Sequence, residues 1–170
     1  MLNKIIEKVT AYDVSVINWL IKHRDRRVRK AFHIVTYFGS GYFWIFAYLF
    51  LFATGTDNIK DILIFVILSE LSGLLIIILF RNLIKRERPK ADITSLLPWQ
   101  NNSFPSHHAL RVSMLATIFG TFYPSWLPFL IFGASLVSIS RIYLERHYPS
   151  DVLAGLLTGF LCARFVLFVF

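Results

Sequence analysis

The chain has 170 residues, enough for one domain and too few for a catalytic domain separate from a membrane one. Hydrophobic residues make up 56%, aromatics 16% and charged residues only 16%, which disfavours a soluble or disordered protein. The net charge of +8 invites a nucleic-acid partner, but 16 of the 18 Lys and Arg lie within residues 1–30 or around residues 81–146, a placement that suits anionic lipid, so no nucleic acid is expected.

Residues 1–30 carry Ile5, Ile6, Val9, Val16, Ile17, Leu20 and Ile21 at helical spacing, interrupted by Lys4, Glu7, Lys8 and Asp13. This pattern predicts an amphipathic helix lying in the membrane interface, and it has no unbroken apolar core for a cleavable signal peptide. A basic collar, His23 to Lys30, follows; it suits both solvation and anionic headgroups. Apolar blocks then occupy residues 31–53, 62–80, 109–123, 126–143 and 152–170. Each is near the ~20 residues that cross a bilayer core as helix, so the expected fold is all-α, a polytopic bundle of about five spans forming one domain over residues 1–170. The first block holds Gly39-Ser40-Gly41, small residues that admit close helix packing. Asp57 or Asn58 is placed to cap the second span. Within the spans, Glu70 and Arg111 both need partners and are expected to pair with each other, while Arg164 is expected to snorkel. The lone Cys162 reads as a packed small hydrophobe.

Residues 81–102 are polar and broken by Pro89 and Pro98, which predicts a loop of about twenty residues, a length usually functional when ordered. Ser106 follows as an N-cap for the third span, and Pro149 with Asp151 opens the last helix. Counting crossings brings Arg81, Ser106, Arg141 and Pro149 to the same face. There Arg81, Lys85 and Arg88 fall at i, i+4 and i+7, one face of a continuing helix, where three cations can meet one anion; a plain interfacial anchor is the alternative. Ser106-His107-His108 sets a hydroxyl and two imidazoles at a helix start, a natural anion site, though also readable as a chance interfacial pair or a weak metal site. A metal would need more ligands than these and His147. His147 and Asp151, four apart across a helix start, allow the carboxylate to hold one ring nitrogen and direct the other at a substrate; a structural cap is the alternative. Phosphate is the ligand that fits all three clusters.

These clusters resemble the signature of the type 2 phosphatidic acid phosphatase superfamily of membrane lipid phosphatases. Arg81, six residues, then Arg88-Pro89 is similar to its first motif, with arginine in place of lysine. Pro105-Ser106-His107-His108 is similar to its second, with His107 in place of glycine, and Ser140-Arg141 through His147 to Asp151 matches its third in full. The resemblance implies His147 as nucleophile forming a phosphohistidine, Asp151 as its orienting carboxylate and His108 as the acid for the leaving group. It further implies that Arg81, Arg88, Arg141, Ser106 and the His107 backbone hold the phosphoryl oxygens, with Lys85 adding charge. No metal or other cofactor is expected. The expected substrate is a lipid phosphate or diphosphate: undecaprenyl diphosphate, phosphatidylglycerophosphate, phosphatidic acid or lipid A 1-phosphate. Anionic lipids are expected at the collar, and no protein partner is predicted. Lipid-to-lipid phosphotransfer and non-catalytic lipid binding or transport are the alternatives. The positive-inside rule places the site in the cytoplasm. Bacterial members of the resembled family face outward, and the expectation here is an inner-membrane protein with its site on the periplasmic side.

Overall fold

The computed structural model describes residues 2–90 and 98–170. Residues 91–97 of the loop expected over residues 81–102, Asp92 among them, lie outside the described residues. Every regular element among the described residues is helical: α1 Leu2–His23, α2 Arg26–Val35, α3 Gly41–Thr54, α4 Asp57–Ile84, α5 His107–Phe122, α6 Leu127–Tyr143 and α7 Pro149–Val169. Short 3₁₀ turns sit at Thr36–Gly39, Pro98–Asn101 and Pro124–Trp126. The all-α expectation holds.

Helix α5 is the axis of the bundle. Its Ala109, Leu110, Met114 and Ile118 have no exposure at all, because α4, α6 and α7 cover it on every side. Apolar residues on several sides of one helix suit such a central place. Its main core joins Met114, Leu115 and Ile118 to Ile62 and Val66 of α4 and Ala163 of α7. Two glycines of α7 set the closeness of that packing: a Cβ at Gly155 would run into the Ser106 carbonyl and one at Gly159 into the Leu110 carbonyl. Spaced four apart on one face, they let the two backbones touch, as small residues do between membrane helices. The outer faces of α4 and α7 are apolar and exposed, with Leu71, Leu75, Leu79, Phe165 and Phe168 pointing away from the bundle. A belt of this kind is a lipid-facing surface.

The first apolar block departs from the expected single span. Helix α2 ends at Val35, and Ser40, in extended conformation, caps α3 by accepting from the Phe43 N–H at 3.3 Å. The two helical pieces, Arg26–Gly39 and Gly41–Thr54, meet at 49°. Gly39 lies at the break, where a Cβ would come within 2.8 Å of the His108 ring and 2.7 Å of Val137, so the packing anticipated for this glycine lies against the site. Helix α2 opens instead on Asp25, whose side chain accepts from the N–H groups of Arg27 and Val28 at 2.7 and 3.0 Å. Three helical stretches are long and apolar enough to cross a membrane, Asp57–Ile84, Pro124–Tyr143 and Pro149–Val169, and the bent pair would make a fourth. Helix α5, with 16 residues, spans roughly 24 Å at 1.5 Å per residue, short of a ~30 Å core. Length and composition thus give three or four crossings where five were expected.

Smaller boundary details also shift. Thr56, not Asp57 or Asn58, occupies the cap of α4, leaving Asp57 in the first turn where an acid suits the dipole. Helix α1 is amphipathic as expected, with Tyr12, Val14, Trp19 and Ile21 exposed and Ile17 buried. Asp13, one turn before Ile17 on the same face, is completely buried, which the periodicity did not suggest. Cys162 is buried and Arg164 exposed.

Candidate active site

The end of α4, the start of α5, the end of α6 and the start of α7 converge on a cavity of about 360 Å³. Arg81 and Arg88 line it from the α4 side, His107 and His108 from α5, and Arg141, Arg146 and His147 from the α6–α7 connection. His33 and Thr36 add a wall from the broken first block, and Gln100 one from the loop before α5.

Helix α4 carries Arg81 to the cavity floor, where Nη2 donates to the Pro105 carbonyl at 3.1 Å and Asn102 Nδ2 donates to the Arg81 carbonyl at 2.8 Å. The helix then stops, because Lys85 takes a left-handed conformation with φ 46°. The single face expected of Arg81, Lys85 and Arg88 therefore does not form. Lys85 is turned outward and exposed, away from the cavity, while the chain doubles back to deliver Arg88. Arg88 is pinned in place: Nη1 donates to the Arg146 carbonyl at 2.8 Å and Nη2 to the Gln100 carbonyl at 2.8 Å. Burial, and next the charge of Arg146, lower its pKa from the ordinary arginine value.

Ser106 occupies the N-cap position of α5, but its hydroxyl makes no cap bond and, among the described residues, no hydrogen bond at all. Its backbone N–H donates to the Asp151 carbonyl at 3.0 Å, tying the start of α5 to the start of α7. The following N–H groups of α5 have no intrahelical acceptor and sit where the helix dipole favours an anion. The expected Glu70–Arg111 pair is present. Arg111 Nε donates to Glu70 Oε1, Nη2 donates to Oε2 at 3.1 Å, and Nη1 donates to the Gly39 carbonyl at 3.0 Å. The pair extends to His107, whose Nε2 lies 3.2 Å from Arg111 Nη2 and 3.8 Å from Glu70 Oε2. The side chain that stands in the glycine position of the resembled motif is thus held by an ion pair reaching from α4 to α5.

His147 is 1% exposed. A left-handed turn at Glu145, φ 57°, ends α6, and the N–H groups of Arg146 and His147 both donate to the Arg141 carbonyl at 3.0 and 3.2 Å. Glu145 is fixed in turn by Arg24 of the basic collar at 2.7 Å. The ring's Nδ1 lies 2.8 Å from the Ser103 carbonyl, which can only accept, so the neutral ring carries its proton on Nδ1 and its lone pair on Nε2. Asp151 Oδ2 is 3.8 Å from Nδ1 and accepts instead from the Tyr148 N–H at 2.9 Å. The hydrogen bond expected from Asp151 therefore falls to Ser103, and Asp151 acts on the ring by charge across a short gap. Nε2 is 3.2 Å from Arg88 Nη1. Burial first, then the cations of Arg88 and Arg141, hold the His147 pKa well below the usual histidine value. Arg141 donates from Nη1 to Thr36 Oγ1 at 2.6 Å, and its Nε has no partner among the described residues. The break in the first block brings Thr36 to that position.

Sequence reasoning missed Ser103, Thr36, His33, Arg146 and, behind the cavity, Arg86 and Asp13. Arg86 carried no signal because it lies between two motif residues. Asp13 read as one more charge on an interfacial helix. Among the described residues no three of His, Cys, Asp and Glu converge as metal ligands.

The comparisons with known proteins fit this geometry. Undecaprenyl-diphosphatase of Sulfolobus acidocaldarius is 48% identical over 58 residues, 34% of this chain and 28% of that protein. Phosphatidylglycerophosphatase B of Bacillus subtilis is 36% identical over 86 residues, 44% of this chain and 42% of its own. The matched stretches thus span less than half of these curated relatives. The crystal structure of Aquifex aeolicus LpxE superposes with a TM-score of 0.75 at 25% identity, covering 91% of this chain and 93% of that one. The family model described as the PAP2 superfamily matches residues 61–170, which contain all three motifs and every residue around the cavity except His33 and Thr36, and the chain belongs to that superfamily.

Proposed function

We propose that the chain is an integral-membrane phosphatase that removes phosphate from a lipid phosphate or diphosphate through a phosphohistidine on His147. One observation carries the reading: a neutral His147, its proton fixed on Nδ1, turns the Nε2 lone pair toward a cavity walled by Arg81, Arg88 and Arg141. A phosphoryl group seated among these guanidiniums takes over the donor that Arg88 now offers to Nε2. The Nε2–P bond then forms as the P–O bond to the lipid breaks, with the three arginines and the α5 N-terminus stabilising charge on the equatorial oxygens. His108, on the facing wall, supplies the proton to the leaving oxygen; the negative charge of the bound phosphate favours its protonated form. Water then attacks phosphorus, His108 takes its proton, and inorganic phosphate leaves with His147 regenerated.

The lipid chain lies in an apolar groove of about 310 Å³ lined by Val35, Phe38, Trp44, Val112, Leu130 and Val137 among others. Val35 adjoins Thr36, and Val137 is one turn from Arg141, so the groove leads to the cavity from the bilayer. The relatives named as undecaprenyl-diphosphatase and phosphatidylglycerophosphatase B support a substrate of this class. The site faces outward from the cytoplasmic membrane, and α5 crosses as the enclosed central helix.

The test is phosphate release by the purified protein in detergent with EDTA, over a panel of lipid phosphates and diphosphates, wild type beside His147→Ala. Release by the wild type and its loss in the variant are expected. Release unaffected by the substitution would overturn histidine catalysis, and binding without release from any lipid would favour a non-catalytic role.

A further inference from the structure

Behind His147, Asp151 belongs to a buried charge cluster whose other members, Asp13 and Arg86, the phosphoryl-transfer scheme does not use. Asp151 is fully buried and accepts from Arg86 Nη1 at 2.7 Å through Oδ1. Arg86 Nη1 also donates to Ser150 Oγ at 2.7 Å, and Nη2 donates to Asp13 Oδ2 at 2.7 Å. Asp13 arrives from α1, 137 positions away from Ser150, whose N–H donates to Asp13 Oδ1 at 3.0 Å and whose hydroxyl donates to Oδ2. The Tyr148 ring closes the guanidinium face at 4.2 Å. Arg86 is one of the six unspecified residues inside the first motif, and Asp13 lies outside the stretch that matches the family model.

The charges decide what this arrangement does. Asp151 alone would present a full negative charge 3.8 Å from His147 Nδ1, where positive charge develops as Nε2 bonds phosphorus. Arg86, in direct contact with Asp151, would cancel that charge. Asp13 restores it, because two carboxylates around one guanidinium leave a single net negative charge behind the ring. A structural anchor for α1 would need neither full burial of Asp13 nor a cation shared with the nucleophile's own carboxylate.

Resting on the phosphohistidine reading, we propose that Asp13 and Arg86 are positioning residues for the reaction. Arg86 fixes the Asp151 carboxylate, and Asp13, delivered by the N-terminal helix, offsets the Arg86 charge so that Asp151 stabilises the cationic phosphohistidine.

Steady-state kinetics of the full chain on the best lipid substrate test this. Asp13→Asn keeps shape but removes the charge, and it lowers kcat by about tenfold or more with KM unchanged, a loss typical of outer partners of a functional histidine. Asp13→Glu keeps the charge and stays within about threefold of wild type. Asp13→Asn with Arg86→Gln restores a single net negative charge, so its kcat rises above that of Asp13→Asn alone. A mere anchor predicts no such rise, since the double variant has lost the Arg86 link between α1 and α7 and keeps only the Ser150 contacts. Wild-type kcat in Asp13→Asn, or a double variant no better than the single one, would overturn the proposal while leaving the phosphatase reading intact. Should Asp13→Asn not assemble, Asp13→Glu decides: a kcat loss beyond about tenfold in a folded protein would overturn it. No release by wild type would overturn the phosphatase reading and this proposal together.

Discussion

At the scale of single residues, the cavity sorts its cations by backbone geometry more than by sequence spacing. Arg81 and Arg88 reach the cavity, but Lys85 between them does not, because the left-handed turn that ends α4 is at Lys85 itself. A helical wheel assumes that the helix continues, and no local sequence cue announced this stop. Arg88→Ala is expected to lower kcat by about 10²-fold, whereas Lys85→Ala stays within about twofold, a contrast that assays of the two purified variants check. His147 gives a second prediction. Its pKa in the folded protein lies below the unfolded value of about 6.5, so as pH falls through that value the unfolded chain takes up a proton that the folded chain refuses. Stability contributed by this group is therefore present above about pH 6.5 and is lost toward acid, down to the folded pKa. Histidine-selective ¹⁵N spectra should show the His147 ring neutral at pH 6.5 with its proton on Nδ1; a ring protonated at both nitrogens there would contradict the assignment. The third motif was fully legible in residues 140–151, but the hydrogen bond from His147 to the Ser103 carbonyl was not, since a backbone carbonyl leaves no mark in sequence.

At the scale of elements, hydrophobicity gave the spans and concealed how they are used. The first apolar block read as one helix, yet Gly39 and Ser40 bend it by 49° and so carry Thr36 to Arg141. The glycines were visible in the sequence; the side they pack against was not. Gly133 lines the apolar groove, and a Cβ there would meet nothing within 4 Å, so the side chain of Gly133→Leu starts in open space beside the groove. That variant is expected to lower kcat/KM on a long-chain lipid phosphate by about tenfold while sparing a short-chain soluble one, and equal losses on both would remove the groove from the substrate path. Gly159→Leu has no such freedom, because its side chain would enter the α5 backbone. It should cost about 1–3 kcal/mol or more, measured as a lower unfolding midpoint in detergent.

At the scale of the whole molecule, the chain is a buried central helix wrapped by apolar helices whose polar ends close over one cavity. That architecture was legible because membrane spans need long apolar blocks and phosphate needs converging cations. The role of the N-terminal segment was not, because Asp13 and Arg24 meet Arg86 and Glu145 only through contacts 73 and 121 positions apart in the chain. The proposed outward orientation rests on the resemblance to bacterial members of the family, and Lys85, exposed beside the site, offers a handle. A Lys85→Cys variant in intact cells should react with a membrane-impermeant maleimide, with protection until lysis pointing to the cytoplasmic side.

The most direct measurement is to quench the protein during turnover of a lipid labelled with ³²P at its terminal phosphate and map the label by mass spectrometry. An acid-labile, alkali-stable phosphoryl group on His147, absent from His147→Ala, is the predicted result. Release of labelled phosphate with none ever held by the protein, or label on another side chain, would contradict it.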